Sequence, residues 1–300
     1  MFALTILGNN SAIPAFDRNP TAQVLQTMDE SFLIDCGEGT QMQLSKYKIK
    51  RSRINHIFIS HLHGDHYFGL IGLLTSMSLL NRNQPLHIHA PAPLQELINM
   101  QLDFASTQLC FPLHFHSLQD EGAIVSNDKI TITCFKVQHR IDCWGFLFRE
   151  KKNARKLDPE RAKIYEIPAA FYEKLQQGHD YVNKKGTIVP NEEVTTAGPI
   201  PKSYAYCADT IYDESLAEKV KGVDLLYHET TYLKNLQQRA TDRYHSTTIQ
   251  AGSIAKKAGV KKLLIGHFSS KYESLDEFLS ETKEIFENTE LALQGCCYIV

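Results

Sequence analysis

The segment Ser60-His61-Leu62-His63-Gly64-Asp65-His66 directly follows the apolar run Ile57-Phe58-Ile59. It brings three imidazoles and one carboxylate close together, a grouping that packing alone does not require. If the apolar run is a buried strand, His61 and His63 leave its end on one side, and Asp65 and His66 return around the following turn. Nitrogen and oxygen ligands suit borderline metals such as zinc, and paired metals suit phosphodiester or amide hydrolysis. The segment therefore predicts two metal ions bound side by side.

Composition limits the possible partners and compartment of the chain. Its 300 residues are 43% hydrophobic and carry a formal charge of −2. Nucleic-acid binders often have a global basic excess, so any contact with RNA must come from a local patch. The chain has seven cysteines, an odd number, and no C-x-x-C motif. This argues against a disulfide framework and favours a reducing compartment, the cytoplasm. No apolar run approaches the roughly 18 residues of a membrane span, so no membrane association is expected.

Predicted strands alternate with predicted helices in both halves of the chain, which indicates an α/β fold with helices covering the sheets. Strands are predicted to end at His61, Asp209 and His267, and His139 follows another. Active sites of α/β folds gather at strand ends. These side chains are therefore expected at one rim. A helix is predicted over residues 247–258 and another over 276–288.

The pattern H-x-H-x-D-H, with a later His, Asp and His, resembles the metallo-β-lactamase superfamily. This resemblance implies a four-layer αβ/βα sandwich of two mixed β-sheets, as a single domain over residues 1–300. It also implies two zinc ions per subunit, with manganese as a possible substitute. One metal would be held by His61, His63 and His139, the other by Asp65, His66 and His267, with Asp209 bridging them.

Further motifs resemble the ribonuclease Z family of tRNA 3′-processing endoribonucleases. They lie along nearly the whole chain, in the family's order: Leu7-Gly8-Asn9-Asn10-Ser11-Ala12-Ile13-Pro14, Arg18-Asn19, Asp35-Cys36-Gly37-Glu38-Gly39-Thr40-Gln41, His228-Glu229-Thr230-Thr231, His245-Ser246-Thr247 and Gly266-His267-Phe268-Ser269-Ser270-Lys271-Tyr272. The implied activity is zinc-dependent removal of the 3′ trailer from precursor tRNA. It would leave a 3′-hydroxyl on the tRNA and a 5′-phosphate on the trailer.

The chemistry assigns roles to the residues of these motifs. A metal-bound hydroxide would attack the phosphate, with Asp65 as general base. His245 would protonate the leaving 3′-oxygen, and Glu229 would keep it charged and oriented. Substrate contacts are expected from Ser269, Ser270 and Lys271 after a metal ligand, and from Arg18 and Asn19 in the amino-terminal loop. This chain departs from the family at two places. Lys271 stands where the family usually has Arg, and Phe16-Asp17 stands where it usually has a basic residue.

Residues 150–198 differ in character from the rest of the chain. They are charged, contain Pro159, Pro168 and Pro190, and lack a strong apolar period. The segment occupies the place where ribonuclease Z proteins insert a flexible tRNA-binding arm, or exosite. Its basic and acidic residues nearly cancel, which predicts a modest salt dependence of binding. The family also implies a homodimer, in which the arm of one subunit holds tRNA at the other's site.

Two alternatives to the nuclease stay open at this point. One is a small-molecule hydrolase on the same metal centre, such as a cyclic-nucleotide phosphodiesterase or an arylsulfatase, which needs no arm. The other is a catalytically inactive RNA-binding subunit. Such proteins lose metal ligands, whereas all seven are present here.

Overall fold

The computed structural model describes residues 2–151 and 154–300. Met1, and Lys152 and Asn153 of the predicted arm, lie outside the described residues. The strands of the first half are β1 (Ala3–Gly8), β2 (Asn10–Ser11), β3 (Ala22–Gln26), β4 (Ser31–Ile34), β5 (Ile54–Phe58), β6 (Leu86–Ala90), β7 (Leu113–Ser117), β8 (Gly122–Ser126), β9 (Ile130–Val137) and β10 (Cys143–Glu150). Those of the second half are β11 (Lys156–Leu157), β12 (Tyr181–Val182), β13 (Ile188–Val189), β14 (Thr195–Thr196), β15 (Ser203–Cys207), β16 (Leu225–Glu229), β17 (Lys262–Gly266), β18 (Phe268–Ser269), β19 (Thr289–Leu291) and β20 (Cys297–Ile299).

The α-helices occur in the connections between strands. They are α1 (Thr40–Lys46), α2 (Gly64–Tyr67), α3 (Leu70–Leu79), α4 (Pro93–Phe104), α5 (Pro159–Ile164), α6 (Tyr172–Gln176), α7 (Asn191–Val194), α8 (Leu216–Lys219), α9 (Gln237–Arg243), α10 (Thr248–Ala258) and α11 (Asp276–Lys283).

The largest sheets are two mixed sheets of seven strands each. Their strand orders are β20-β1-β3-β4-β5-β6-β7 and β19-β17-β16-β15-β10-β9-β8. Their inner faces meet through buried aromatic rings, such as Phe58 with Phe146 at 5.3 Å and Phe32 with Phe148 at 5.8 Å between centroids. The outer face of the first sheet buries Ile57 and Ile88 under apolar residues of α1, α3 and α4. The predicted αβ/βα sandwich is confirmed.

Parallel pairing explains why polar side chains gather at one edge. Strands β15, β16 and β17 are parallel neighbours, and so are β4 and β5. Because parallel strands end at the same edge of a sheet, the residues that follow them are brought together. The first sheet therefore brings Asp35 after β4 close to His61 after β5, and the second sheet brings Asp209 after β15 close to His267 after β17.

The predicted helix over 247–258 corresponds to α10, which begins after Thr247. The Thr247 side chain and Gln250 form a capping box, the usual reciprocal arrangement at a helix start. The helix predicted over 276–288 ends at Lys283, earlier than expected. Strand β19 begins at Thr289, opposite Leu263 of β17, so the chain must leave the helix to reach the sheet.

The segment predicted as an arm is part of a second compact unit, formed by residues 126–131 and 149–202. It has its own small core of Ile167, Leu175, Val189 and Val194, all buried. Charged residues hide this core in the sequence, because its apolar residues come from separate short elements. The role of the segment in binding tRNA stays a prediction.

The remaining general expectations concern membranes and cysteines. No helix within residues 2–151 and 154–300 combines the length and apolar character needed to cross a membrane. All seven cysteines are free thiols. Cys110, Cys296 and Cys297 are exposed, whereas the other four are buried.

Candidate metal centre

Four side chains converge beyond the ends of β5, β9 and β15. Nε2 of His61 lies 3.0 Å from Nδ1 of His63, which lies 3.2 Å from Nε2 of His139. Oδ2 of Asp209 lies 3.6 Å from His61 Nε2 and 4.0 Å from His139 Nε2. Ligands about 2.0–2.1 Å from a tetrahedral metal lie about 3.3 Å from one another. The spacing of this first group therefore fits a single divalent ion.

A second group lies on the other side of Asp209. Nε2 of His66 and Nε2 of His267 are 3.3 Å apart, and Oδ2 of Asp65 lies 3.6 and 3.5 Å from them. Oδ1 of Asp209 lies 3.4 Å from His66 and 3.2 Å from His267. Each oxygen of Asp209 thus faces one of the two groups.

The unsatisfied carboxylate oxygen of Asp209 is the observation that best tests the fit of a metal. Oδ1 of Asp209 is buried and has no hydrogen-bond partner among the described residues. Burying a carboxylate oxygen is energetically costly unless the oxygen accepts a hydrogen bond, pairs with a cation or coordinates a metal. Imidazole nitrogens and carboxylate oxygens are also the donors that borderline divalent ions accept. The seven side chains therefore fit two such ions, with Asp209 between them.

Hydrogen bonds on the far side of the rings fix their orientation. Nδ1 of His61 lies 3.0 Å from Ser60 Oγ, and Nδ1 of His267 lies 2.9 Å from Thr231 Oγ1. Nδ1 of His139 donates to the carbonyl of Tyr244 at 2.9 Å. Such partners set the tautomer and aim the other nitrogen at the metal.

Asp35 is the most heavily bonded of these partners. Its fully buried carboxylate accepts from the backbone N–H and the hydroxyl of Ser60 at 2.7 and 2.9 Å, and from the Tyr206 hydroxyl at 2.5 Å. It also lies 2.8 Å from Nδ1 of His66. Asp35 therefore links the strand that leads to His61, the ring of His66 and the opposite sheet. The sequence motif contained this residue but gave no sign of this role.

The pKa values differ between the two groups. Burial is the main reason that the pKa of His63 is lowered to about 4 and that the pKa of His61 lies well below its usual value. Burial also opposes the charge on His66, but Asp209, Asp65 and Asp35 outweigh it and raise the pKa of His66. The first group therefore offers neutral rings at pH 7. Its lone pairs are available to a metal without loss of a proton.

Glu229 and His245 form a hydrogen-bonded pair beside Asp209. Glu229 is fully buried and accepts from the backbone N–H of Thr231 and of Ser246 at 2.9 and 2.8 Å. Its Oε1 lies 3.1 Å from Nδ1 of His245. Burial opposes the charge on His245, but Glu229 outweighs it and raises the pKa of the ring. Nδ1 of His245 also lies 4.0 Å from Asp209 Oδ2, so the closer Glu229 is its main partner.

Strained backbone supports several of these groups. Asp35 and His267 have φ of 55° and 61°, and so do Ala12 and Tyr244, at 65° and 58°. Ala12 N donates to Asp65 Oδ2 at 2.7 Å, and Tyr244 supplies the carbonyl to His139. Positive φ is costly for residues other than glycine and clusters at functional sites. At each of the four, the unusual backbone holds a site contact.

A cleft of about 310 Å³ opens over the site. His63, Asp65, Asp209 and His245 line it, together with two residues that sequence reasoning missed, Phe68 and Arg140. Phe68 is 63% exposed although it is aromatic. In the sequence, the sign of this residue was an aromatic side chain two positions after His66. Arg140 adds an exposed cation next to a metal-ligand candidate.

The expected substrate-binding residues lie in different environments. Ser269 and Ser270 are half-buried and Lys271 is exposed, in the loop after His267. Arg18 is buried, and its guanidinium donates to Asn10 Oδ1 and to the carbonyls of Glu273 and Tyr272. The side chain of Asn19 donates to Gln294 at 3.1 Å. Arg18 therefore ties the amino-terminal loop to the segment after His267, and its donors are used within the protein.

A local run of basic residues is present although the chain as a whole has no basic excess. Residues 46–53 read Lys-Tyr-Lys-Ile-Lys-Arg-Ser-Arg, without an acidic residue. Lys48 and Lys50 are exposed. Lys46 lines a surface cleft together with Arg18 and Asn19, which places the start of this segment beside the amino-terminal loop. Sequence reasoning missed this segment, although its charge run was visible.

We expect Asp35→Asn to weaken metal binding and stability together. The amide cannot accept all four contacts, so the free energy of unfolding should fall by about 1–3 kcal/mol. Metal affinity should fall about 10–100-fold, as for other partners of ligands. Urea unfolding and metal analysis after dialysis measure the two effects. Asp17→Asn, at an exposed position, is the matched control, and equal losses in both variants would contradict the role of Asp35.

Known proteins resemble this chain over most of its length. Residues 2–155 match the family model described as "Anti-Pycsar protein Apyc1". The ribonuclease Z of Bacteroides fragilis (strain YCH46) is 43% identical over 298 residues, which cover 99% of this chain and 98% of that protein. The ribonuclease Z of Cytophaga hutchinsonii is 44% identical over 306 residues, covering 100% and 96%.

Solved structures give the same result at lower identity. The crystal structure of the short form of human tRNase Z is 25% identical, covers 99% of this chain and 98% of its own, and has a TM-score of 0.72. The metallo-β-lactamase fold protein YhfI from Bacillus subtilis is 20% identical, with a TM-score of 0.70 and the same coverage. The latter likeness concerns the fold alone. On the similarity of its full length to the curated relatives, this chain belongs to the ribonuclease Z family.

Proposed function

We propose that this protein is a metal-dependent endoribonuclease that removes the 3′ trailer from precursor tRNA. The observation that carries the proposal is the position of the Glu229–His245 pair beside a centre suited to two metals. A phosphodiesterase needs a nucleophile, charge stabilisation on the phosphate and a proton for the leaving oxygen. When bound, divalent ions lower the pKa of water and stabilise charge on the phosphoryl oxygens. The protein's own residues must supply the remaining parts.

Asp65 and His245 divide the proton transfers between them. Oδ2 of Asp65 accepts from Ala12 N and faces the second metal group, so the carboxylate is held where it can orient the attacking water and accept its proton. Nδ1 of His245 faces Glu229, which leaves Nε2 to donate to the leaving 3′-oxygen. Cleavage of the bond between phosphorus and this 3′-oxygen leaves a 3′-hydroxyl on the tRNA and a 5′-phosphate on the trailer.

Single-stranded RNA finds suitable groups around the cleft. Phe68 offers an exposed face on which a base can stack, and Arg140 offers a cation for a phosphate. Lys271, Ser269 and Ser270 are proposed to contact phosphates next to the cut. The basic residues 46–53 are proposed to bind the tRNA backbone farther from the metals, since their charge is not balanced within the segment. Arg18 and Asn19 act, in this proposal, by holding the loop that meets the tRNA 3′ end.

Three finer features complete the proposal. We propose two zinc ions per subunit at this centre, with manganese as a substitute, because the donors are imidazoles and carboxylates; metal analysis well below two equivalents would exclude this. A homodimer is proposed from the family, and a monomer in sedimentation at micromolar concentration would argue against it. Seven free thiols support the cytoplasm as the compartment, which fractionation of cells can refute.

The direct test is incubation of the metal-loaded protein with a 3′-extended tRNA. We expect one cut near the end of the acceptor stem, with the end groups given above, and loss of cleavage after chelation. Restored zinc or manganese should restore it. Intact substrate under every metal condition would overturn the proposal.

The role of His245 has its own expected outcome. His245→Ala should retain metal and bind tRNA but cleave roughly 10²–10⁴-fold more slowly. In the parent protein, Glu229 raises the pKa of His245, so cleavage should fall as the pH rises through that raised pKa. In Glu229→Gln burial dominates, and this basic limb should move to lower pH. A pH–rate profile of kcat/KM tests the shift. Unchanged turnover in His245→Ala would remove the residue from the mechanism, whereas loss of metal would make it a ligand.

The arm distinguishes the nuclease from the small-molecule hydrolase. Glu150 N donates to the carbonyl of Lys202 at 2.8 Å, so a short Gly-Ser linker can join the two ends of the segment. Replacement of residues 151–201 by such a linker should reduce cleavage of precursor tRNA and leave hydrolysis of a small phosphodiester unchanged. Equal activity on tRNA before and after the replacement would contradict a substrate-binding arm.

A further inference from the structure

A second group of imidazoles occurs on the first sheet, with no residue in common with the Asp209 centre. We call this group the histidine ladder: His56 of β5, His87 and His89 of β6, and His114 and His116 of β7. The three strands read Ile-Asn-His-Ile-Phe, Leu-His-Ile-His-Ala and Leu-His-Phe-His-Ser. In the parallel register His56 pairs with His87, His87 with His114 and His89 with His116. Because side chains alternate along strands, all five lie on the same face.

The rings of the histidine ladder stack across the strands. Centroids are 5.0 Å apart for His56 and His87, 5.0 Å for His87 and His114, and 4.6 Å for His89 and His116. The planes are inclined by 15–23°. His89 also stacks on Phe58 at 4.8 Å, which joins the ladder to the aromatic core between the sheets. The rings are therefore held side by side by the sheet itself.

Ring nitrogens of the ladder face each other in two pairs. Nδ1 of His56 lies 3.1 Å from Nε2 of His89, and Nδ1 of His87 lies 2.9 Å from Nε2 of His116. Two imidazoles that share a tetrahedral metal have nitrogens about 3.3 Å apart. A small rotation of the rings is enough to move from one spacing to the other. A metal could therefore bind between the two nitrogens of a pair, once the ring that donates the hydrogen bond carries its proton on its other nitrogen.

The exposure of the ladder histidines increases from His89 toward the edge strand β7. His89 is 2% exposed, and its Nδ1 has no hydrogen-bond partner among the described residues. His87 is half-buried, and His114 and His116 are exposed on β7, the edge strand of its sheet. The pair of His87 and His116 is thus the one that an ion can reach from solvent.

Burial is the main reason that four of these rings, those of His56, His87, His89 and His116, stay neutral at pH 7. Burial is the largest cause that lowers the pKa of His56 to about 4 and of His89 to about 3, and neighbouring imidazoles add to it. Burial also lowers the pKa of His87 and His116, and Arg82 acts in the same direction on His87. Neutral imidazoles retain the lone pairs that metals need. The donor set contains only nitrogen, which suits zinc, nickel or copper(II).

We propose that the histidine ladder binds one borderline divalent metal ion through Nδ1 of His87 and Nε2 of His116. The remaining positions are filled by water or by the neighbouring His114. The buried pair of His56 and His89 holds the stack in place behind this site. The ion is a third one per chain, and its binding is independent of the nuclease activity.

The test counts ions in the protein already loaded with zinc at its catalytic centre. Equilibrium dialysis against micromolar Zn²⁺, followed by elemental analysis, should give one more ion per chain in the parent protein than in the double variant His87→Gln/His116→Gln. Loss of a hydrogen-bond partner of a ligand costs about 10–100-fold in metal affinity, so loss of ligands should cost at least about tenfold. His179→Gln, an exposed histidine outside both clusters, should match the parent protein.

A spectroscopic readout identifies the ligands. Added Cu²⁺ should show electron paramagnetic resonance splittings from two imidazole nitrogens, and the double variant should lack them. The single variant His116→Gln changes an exposed edge-strand residue and should fold even if the double variant does not; it should weaken binding to the same site. Equal metal content and equal spectra in the parent protein and a folded His116→Gln variant would overturn the proposal, as would equivalent loss in His179→Gln.

Discussion

The carboxylate of Asp209 is the constraint on which the rest of the structure depends. It is 3% exposed, and its two oxygens face two groups of imidazoles that come from both sheets. Burying one anion among so many ring nitrogens is unfavourable unless cations balance it. The fold supplies rigid positions for these groups at the ends of parallel strands, and metal ions would supply the charge. Asp209 therefore bears on both the stability of the fold and the proposed function.

The surroundings of the two groups explain how their side chains are held in position. Burial opposes the charge on His66, but Asp209, Asp65 and Asp35 around it outweigh burial and raise the pKa of the ring. The first group has neutral rings and one nearby carboxylate. Hydrogen bonds to Ser60, Thr231 and Tyr244 keep the rings aimed inward. The Glu229–His245 pair stands beside this arrangement and adds an acid to it.

Sequence reasoning reached the fold and the ligand candidates because their signals are local or ordered. The histidine cluster occupies six consecutive positions, and His139, Asp209 and His267 each follow a strand. The roles of Asp35 and Arg18 were out of reach, since Tyr206 lies 171 residues from Asp35 and Tyr272 lies 254 residues from Arg18. The histidine ladder was overlooked because alternating residues in strands look ordinary until the register aligns three strands. The core of the second unit was hidden for a similar reason, as its residues are scattered over short elements.

The measurement that tests the account most directly is anomalous X-ray diffraction from crystals of the zinc-loaded protein, recorded at the zinc edge. At this centre, apart from any zinc bound by the histidine ladder, we expect two strong peaks on opposite sides of Asp209, one bounded by His61, His63 and His139 and the other by Asp65, His66 and His267. A single peak, or peaks that leave either oxygen of Asp209 without a metal, would contradict the two-metal centre.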